Sequence, residues 1–389
     1  MADARTSAAR QLMTAFAERT RIGSRGQGRR YLWTDAFAVC NFLALGDDAR
    51  AVRLVDDVHH GLGRFRDDDE RTGWISGASD AEGEAHPTRG GLRIGKPLGE
   101  RGPGEPLDPD AEWDRDGQYF HYLTKWAHAL DRVARATREP KYHAWARELM
   151  DAAHRAFVHG PRGRRRMVWK LSTDLSRPLV ASMGQHDPLD GFVTCAALDA
   201  TASELGTART PNLAGAAADF AEMIRPEGLA TADPLGLGGL LFDVWRLVRI
   251  DPVNDELVAW LLEAAMDGLR EYLARSELLA PADRRLAFRE LGLATGLAGM
   301  SALAASPRIA RLGDRARASV IRLARYAPLR AEIESFWLMP AHRRGALWVE
   351  HEDIDDVMLA TSLVPEGFLG SDLASLASVP REPSDDVLV

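Results

Sequence analysis

The sequence predicts an all-α protein, a closed barrel of helical hairpins, and three observations carry that prediction. Apolar residues recur at helical spacing through almost the whole chain. Alternating β-branched runs, which a sheet requires, are scarce. Short turns such as Gly46-Asp47-Asp48 and Asp251-Pro252 join the helices pairwise. No strict short repeat accompanies them, which favours closure over an open solenoid.

The spacing places helices over roughly 6–20, 31–45, 48–65, 116–137, 140–159, 187–205, 209–224, 234–250, 253–275, 284–305, 307–326 and 352–363. Together they read as one domain over 1–372, followed by a Pro-, Ser- and Asp-bearing tail over 373–389. The two cysteines, Cys40 and Cys195, fall inside apolar helical patterns and read as small core residues. The exception to helix is a loop over about 76–112, rich in Gly, Pro and charge and flanked by Trp74 and Trp113. Its length and its tryptophans suggest a lid over a pocket, with a solvated excursion as the plain alternative.

Composition narrows the function. The chain has 389 residues and a formal net charge of −8, the opposite of a nucleic-acid footprint. The basic run Arg162, Arg164, Arg165, Arg166 reads as a solvated turn. No stretch has the length of a membrane span, and the N-terminus lacks the apolar core of a signal peptide, so a cytoplasmic protein without membrane partner is expected.

Chemistry-bearing residues concentrate at helix starts. Around the hairpin of 112–159, apolar residues Phe120, Leu123, Ala127, Leu130 and Ala134 form one stripe, and Tyr119, Tyr122 and Trp126 a second. The same helix opens on Glu112, Trp113, Asp114, Asp116, Gln118, Tyr119, His121, Tyr122 and Lys125. Gly184 to Gly191 sets His186, Asp187 and Asp190 at a second start, with Asp187 as the expected N-cap and Pro188 at the first helical position. A histidine and a carboxylate there suit proton transfer on a sugar, while a satisfied loop carbonyl is the bland role for His186. Phe336, Trp337, His342, Glu350 and His351 precede the last helix. Clusters so distant in sequence converge only if the helices stand radially, as an (α/α) barrel arranges them.

Two further patterns point elsewhere. Gly90 to Lys96 has the GxxxxGK spacing of a phosphate loop, but Pro97 stands where Ser or Thr would hold magnesium and no strand precedes it. Asp67-Asp68-Asp69-Glu70 and Asp353-Ile354-Asp355-Asp356 have the form of terpene-cyclase acidic motifs, and the helix dipole explains acidic helix starts without chemistry.

Four segments together carry a family resemblance. Residues 50–83 contain Arg64, Phe65, Asp67, Gly73 and Trp74 at an "RF-x-D" exit and "GGW"-like turn; the hairpin 117–159 carries Ala136-Thr137 and Ala146-Arg147-Glu148-Leu149. Residues 184–201 read GQHDPLDGFVTCAALDAT and residues 348–360 WVEHEDIDDVMLA. These resemble the N-acylglucosamine 2-epimerase superfamily and its six-hairpin glycosidase-like relatives. The resemblance implies an (α/α)6 barrel that isomerises or epimerises a free sugar, with His186 and His351 as the acid/base pair. Where that family carries a GHxxEWxWLL motif, this chain has ADPLGLGGLL over 232–241, without histidine or glutamate.

On this reading Asp190 and Asp116 join His186 and His351 as catalytic candidates. Trp33, Trp74, Trp113, Tyr119 and Trp337 stack on the sugar, and Arg30, Asp35, Tyr122, Lys125, Asp187 and Glu350 bind its hydroxyls. No metal or other cofactor is called for, the partner is a small-molecule sugar, and self-association into a homo-oligomer stays open. Two other functions compete: a six-hairpin hydrolase or lyase using paired carboxyls, and a non-catalytic sugar-binding barrel.

Overall fold

The computed structural model describes residues 2–23, 28–250 and 253–370. The expected turn at Asp251-Pro252 and the tail 373–389 lie outside the described residues. Helix α1 spans Ala2–Arg19, α2 Leu32–Ala44 and α3 Asp48–Leu62, and the long loop contains the short helices α4 (Asp80–Ala85) and α5 (Pro109–Asp114). A two-residue strand β1 (Gln118–Tyr119) leads into α6 (Phe120–Thr137) and α7 (Pro140–Phe157). Strands β2 (Val158–His159), β3 (Arg166–Met167), β4 (Lys170–Leu171) and β5 (Pro178–Val180) follow; β2 pairs with β3, and β4 lies antiparallel between β1 and β5. Then come α8 (Asp187–Leu205), α9 (Ala214–Met223), α10 (Pro234–Leu247), α11 (Asp255–Ala274), α12 (Ala287–Ala305), α13 (Asp314–Ala324), α14 (Ala327–Leu338), α15 (Ala346–Glu350), α16 (Glu352–Leu363) and α17 (Glu366–Leu369). Helix dominates, as expected, and the strands are two or three residues long.

Burial sorts the helices into two sets. Leu32 through Phe42 is buried without interruption in α2, and Asp355 through Leu363 likewise in α16. Helices buried around most of their circumference belong inside. Helix α2 packs on α6, α6 on α8, α8 on α10, α10 on α12, α12 on α16, and α16 again on α2. Against these lie the one-sided helices: α3 on α2, α7 on α6, α9 on α8, α11 on α10, α13 on α12 and α1 on α16. One cluster of buried apolar side chains runs from Ala9 to Leu369 and takes residues from every helix of ten or more. Backbones approach closely between α10 and α12, where a Cβ on Gly238 would fall 2.2 Å from the Gly292 carbonyl oxygen. Only glycine fits there.

The α6–α7 turn falls where the sequence puts it, with Arg138 in the left-handed region (φ 61) closing α6 and Pro140 opening α7. Other boundaries differ. The helix expected over 307–326 breaks at Leu312-Gly313 into a 3-10 turn, Pro307–Arg311, and α13, and α14 follows where none was predicted. The helix expected from 209 starts at Ala214, because Pro211 precedes it.

The long loop is held along its length. A Ser79–Glu82 capping box fixes α4. Leu92 and Ile94 enter the core, and Ile94 accepts from the Leu32 amide (3.0 Å) while donating to Gly117 (2.8 Å), so the loop ties the start of α2 to the start of α6. Gly95 (φ 91) passes so close to Arg30 that a Cβ would meet its carbonyl oxygen at 2.2 Å. The GxxxxGK spacing is thus part of a packed loop with no helix behind it. No helix among the described residues is long and apolar enough to cross a membrane.

Candidate acid–base site

The starts of the six inner helices meet in order. Tyr31, before α2, shares a 2.6 Å hydroxyl hydrogen bond with Tyr122 of α6. His121 and Lys125 of α6 face Asp187 and Asp190 of α8 at 3.9 and 2.5 Å. A Cβ on Gly236 of α10 would lie 3.6 Å from the His186 ring, which precedes α8. Asp233, capping α10, pairs with Arg289 of α12 at 2.7 Å. The Phe288 amide donates to Asp355 of α16 at 2.9 Å, and its ring stacks on His351 at 5.7 Å. Helix α16 packs on α2, which joins the last pair.

The densest part lies between α6 and α8. Lys125 Nζ reaches both Asp190 oxygens (2.7 and 2.5 Å), and Thr124 adds a 3.1 Å hydrogen bond. Burial pushes the Asp190 carboxyl up, but Lys125 first, then the Arg246 charge and the Thr124 hydrogen bond, outweigh it and hold the group below its ordinary range. One turn earlier, Asp187 is buried with Oδ2 unpartnered. Burial first, and the neighbouring Asp190 charge second, push its carboxyl to about 7, with Lys125 opposing. Asp187 is not the cap expected: His186 occupies the N-cap position without a side-chain capping bond, and Asp187 is the first residue of α8. That shift by one leaves Oδ2 of its carboxyl without a partner, while the Gly184 backbone opposes the rise.

His121 completes the pair. Crowding by protein atoms, then the Lys125 charge, lowers its imidazole to about 4, so it is neutral at physiological pH. Yet 29% of its side chain is accessible, so the ring reaches solvent instead of filling the core. Aromatic faces surround it: Tyr122 edge-on at 4.7 Å, Trp169 parallel at 6.1 Å, and Tyr119 at 5.5 Å. Burial raises the Tyr119 and Tyr122 hydroxyls above their usual range, keeping both as neutral donors. From the loop, Lys96 Nζ sits 5.5 Å over the Tyr31 ring and 4.7 Å over Trp113, which is 54% exposed.

The other residues singled out from sequence are placed differently. His186 Nε2 bonds the Leu229 carbonyl (2.8 Å), the bland role foreseen for it, and burial lowers its pKa. His351 Nδ1 bonds Leu347 O at 2.9 Å. No described hydrogen bond, ion pair or ring contact joins the two histidines. Asp116 is wholly buried and fastens the loop, accepting from Arg93 (2.5 Å) and the amides of Gly95 and Gly117 (both 3.0 Å). Arg30 is buried and donates to the Thr20 carbonyl; Asp35 lies 3.5 Å from it, pushed by burial to about 6.

Among the tryptophans, Trp33 tilts against Phe37 at 4.4 Å, Trp74 lies under the Arg64 guanidinium at 4.7 Å, and Trp337 donates to Glu290 at 2.8 Å. All three are core side chains, while Glu350 is exposed at the end of α15. The acidic run over 353–356 goes to packing: Asp353 and Asp356 pair with Arg19, and Asp355 holds the Phe288 amide. The described residues contain no group of three or more His, Cys, Asp or Glu side chains arranged for a metal.

Sequence reading assigns no role to His121, Tyr31, Trp169 or Arg289. The signal for His121 was its spacing: four residues before Lys125, it shares that side chain's helix face. Nothing local marks Trp169, which reaches His121 only through the β1–β4 pairing. What the cluster offers chemically is a carboxyl titrating near neutrality, a neutral imidazole beside it, an ionised carboxylate one turn away and phenolic donors around them. Comparison with known proteins adds no name to this site: no family model matches the chain, and neither curated proteins nor solved structures provide a match.

Proposed function

We propose that the chain is an (α/α)6-barrel enzyme that moves a proton on the carbon next to a sugar carbonyl, with its site at the N-terminal ends of the inner helices. The return of the inner contacts from α16 to α2, with one outer helix against each, supports the barrel. The observation that carries the chemistry is Asp187, a buried carboxyl with a free oxygen, pushed to about 7 and 3.9 Å from His121. A base works best with its pKa near the working pH. Ionised Asp187 takes the C–H proton. His121 and the Tyr31–Tyr122 pair hydrogen-bond the two enediolate oxygens and relay the proton lost by the neighbouring hydroxyl to the former carbonyl oxygen, and protonated Asp187 returns its proton to the neighbouring carbon. A single carboxyl acting on one face favours aldose–ketose isomerisation over epimerisation. The polar rim and the faces of Tyr119 and Trp169 suit a neutral polyol.

A second reading rests on the split between two carboxyls one turn apart, Asp187 raised and Asp190 lowered. A protonated acid beside an ionised carboxylate is what glycoside hydrolysis uses. The Lys125 clasp on Asp190 weighs against it, because it occupies both oxygens of the would-be nucleophile or base.

Incubation in heavy water with a panel of reducing monosaccharides and disaccharides, followed by NMR, separates these readings. Deuterium at the carbon next to the carbonyl, lost in Asp187→Asn, is the expected result. New reducing ends without exchange would assign hydrolysis, and no change on any sugar would leave a binding role.

A further inference from the structure

Arg289 stands where the helix dipole disfavours it. It is the third residue of α12, in the first turn, where the helix end is equivalent to roughly half a positive charge and acids are the favoured residues. The next residue, Glu290, is spent elsewhere, on both Arg285 and Trp337. What holds Arg289 is Asp233: its Oδ1 accepts from Arg289 Nη1 at 2.7 Å, while its Oδ2 accepts from the Gly236 amide at 2.9 Å. The clamp is therefore anchored on the start of α10.

That clamp takes one N–H of the fork and leaves the rest. Nε is buried without a hydrogen-bond partner, Nη2 makes no described hydrogen bond, and 36% of the side chain is accessible. The guanidinium is also turned inward. In the run of inner contacts α2, α6, α8, α10, α12 and α16, helix α12 stands opposite α6. Burial first, then Tyr31 and Tyr119, raise the Tyr122 hydroxyl of α6, and the Arg289 charge is what opposes them. Its field thus reaches across the recess to the Tyr31–Tyr122 pair.

The proposed reaction needs a cation at that place. When ionised Asp187 takes the C–H proton, its negative charge passes to the two substrate oxygens. Three other cations at this end are committed: Lys125 to both oxygens of Asp190, Arg30 to Asp35 and Arg93 to Asp116. Arg289, tied by one N–H, keeps donors for an oxygen. Its planar fork also matches two oxygens on neighbouring carbons better than an ammonium does.

We infer that Arg289 is a further catalytic residue, its guanidinium donating to the enediolate oxygen beside the Tyr31–Tyr122 pair while Asp233 keeps the fork in place. The inference rests on the isomerase reading of this site and names the group that balances the charge as it forms. Asp233 acts through Arg289 and is a positioning residue. Because the clamp is set before substrate arrives, the donor meets the developing charge without reorganising.

Deuterium exchange from heavy water into the same panel of reducing sugars, measured for the full chain and for Arg289→Met, Arg289→Lys and Arg289→Ala, tests it. Arg289→Met should lower kcat roughly 10²- to 10³-fold, the loss of one preorganised donor to an oxyanion, with KM changed less than about threefold. Arg289→Lys, which keeps the charge facing Asp233 but not the planar fork, should fall between Arg289→Met and the parent. Guanidinium ion at sub-denaturing concentration should restore part of the Arg289→Ala rate, and ammonium ion at the same ionic strength should not. A merely structural arginine would give no such rescue. Parent-level turnover in Arg289→Met or Arg289→Lys, equal restoration by ammonium, or no restoration by guanidinium would overturn the assignment and leave the isomerase standing. No exchange by the parent on any sugar would overturn both.

Discussion

The two ends of α6, α8 and α10 carry opposite chemistry. At their starts stand Asp187, Asp190 and Asp233 with His121 and Lys125; at their finishes stand Arg135, Arg138, Arg246 and Arg249. The helix dipole favours this polarity, acids at N-termini and bases at C-termini. Most of the charge at either end is thereby spent: Asp233 caps α10, and Arg249 bonds a terminal carbonyl. Beyond what the dipole uses, Asp187 keeps an open oxygen at one end and Arg246 an Nε without a hydrogen bond at the other, with Asp243 Oδ1 also free of hydrogen bonds between them in α10. On the proposed reading Asp187 is the proton carrier, while Arg246 at the other end is ion-paired with Asp243.

The largest expected effect breaks the acidic end. Lys125→Met leaves Asp190 buried and unpaired, which should cost about 3–5 kcal/mol in urea unfolding. Adding Asp190→Leu should recover most of that loss, and a cost below about 1 kcal/mol for the single variant would show the pair to be solvent-screened.

Asp187→Asn should do the reverse, stabilising the fold in a pH-dependent way. A carboxyl raised from 3.8 to about 7 contributes most to stability below its unfolded value and loses that contribution as pH rises through 7. The variant's gain over the parent should therefore be near zero at pH 4. It should grow towards an upper limit of roughly 4 kcal/mol by pH 8, at 1.36 kcal/mol per unit. Thermal melts across that range measure it, and a gain independent of pH would contradict the placement of the charge.

Smaller in energy, His121→Gln should lower turnover by roughly 10²-fold or more while shifting stability by less than about 1 kcal/mol. Steady-state rates and melts on one preparation compare the two. The smallest effect belongs to the basic rim: Arg138→Ala should alter stability by less than about 0.5 kcal/mol, because the side chain is exposed and makes no described contact.

The helices themselves were legible because their signals are local. The 3.6-residue stripes, the Pro140 start and the residues of α8 and α16 come directly from spacing and punctuation. The site was legible only where its residues share one helix. Lys125 and Asp190 stood out as titratable groups at helix starts, but their union, and the Tyr31–Tyr122 bond across 91 positions, depends on the order of packing. Tryptophan misled for a physical reason. A large amphipathic ring fits a core as well as a sugar subsite, and only burial tells Trp74 and Trp337 from Trp113. The arginines at the far end were invisible as a group, since each alone reads as an ordinary helix C-terminal residue.

The central claim is that Asp187 carries a proton near neutral pH. Carbon-13 NMR of the aspartate carboxyls, with the Asp187 signal assigned by its loss in Asp187→Asn, measures this directly. The account predicts a titration midpoint near 7 for the Asp187 carboxyl while Asp190 stays ionised through the same range. A midpoint below about 5, close to an ordinary aspartate, would contradict it and remove Asp187 as the base.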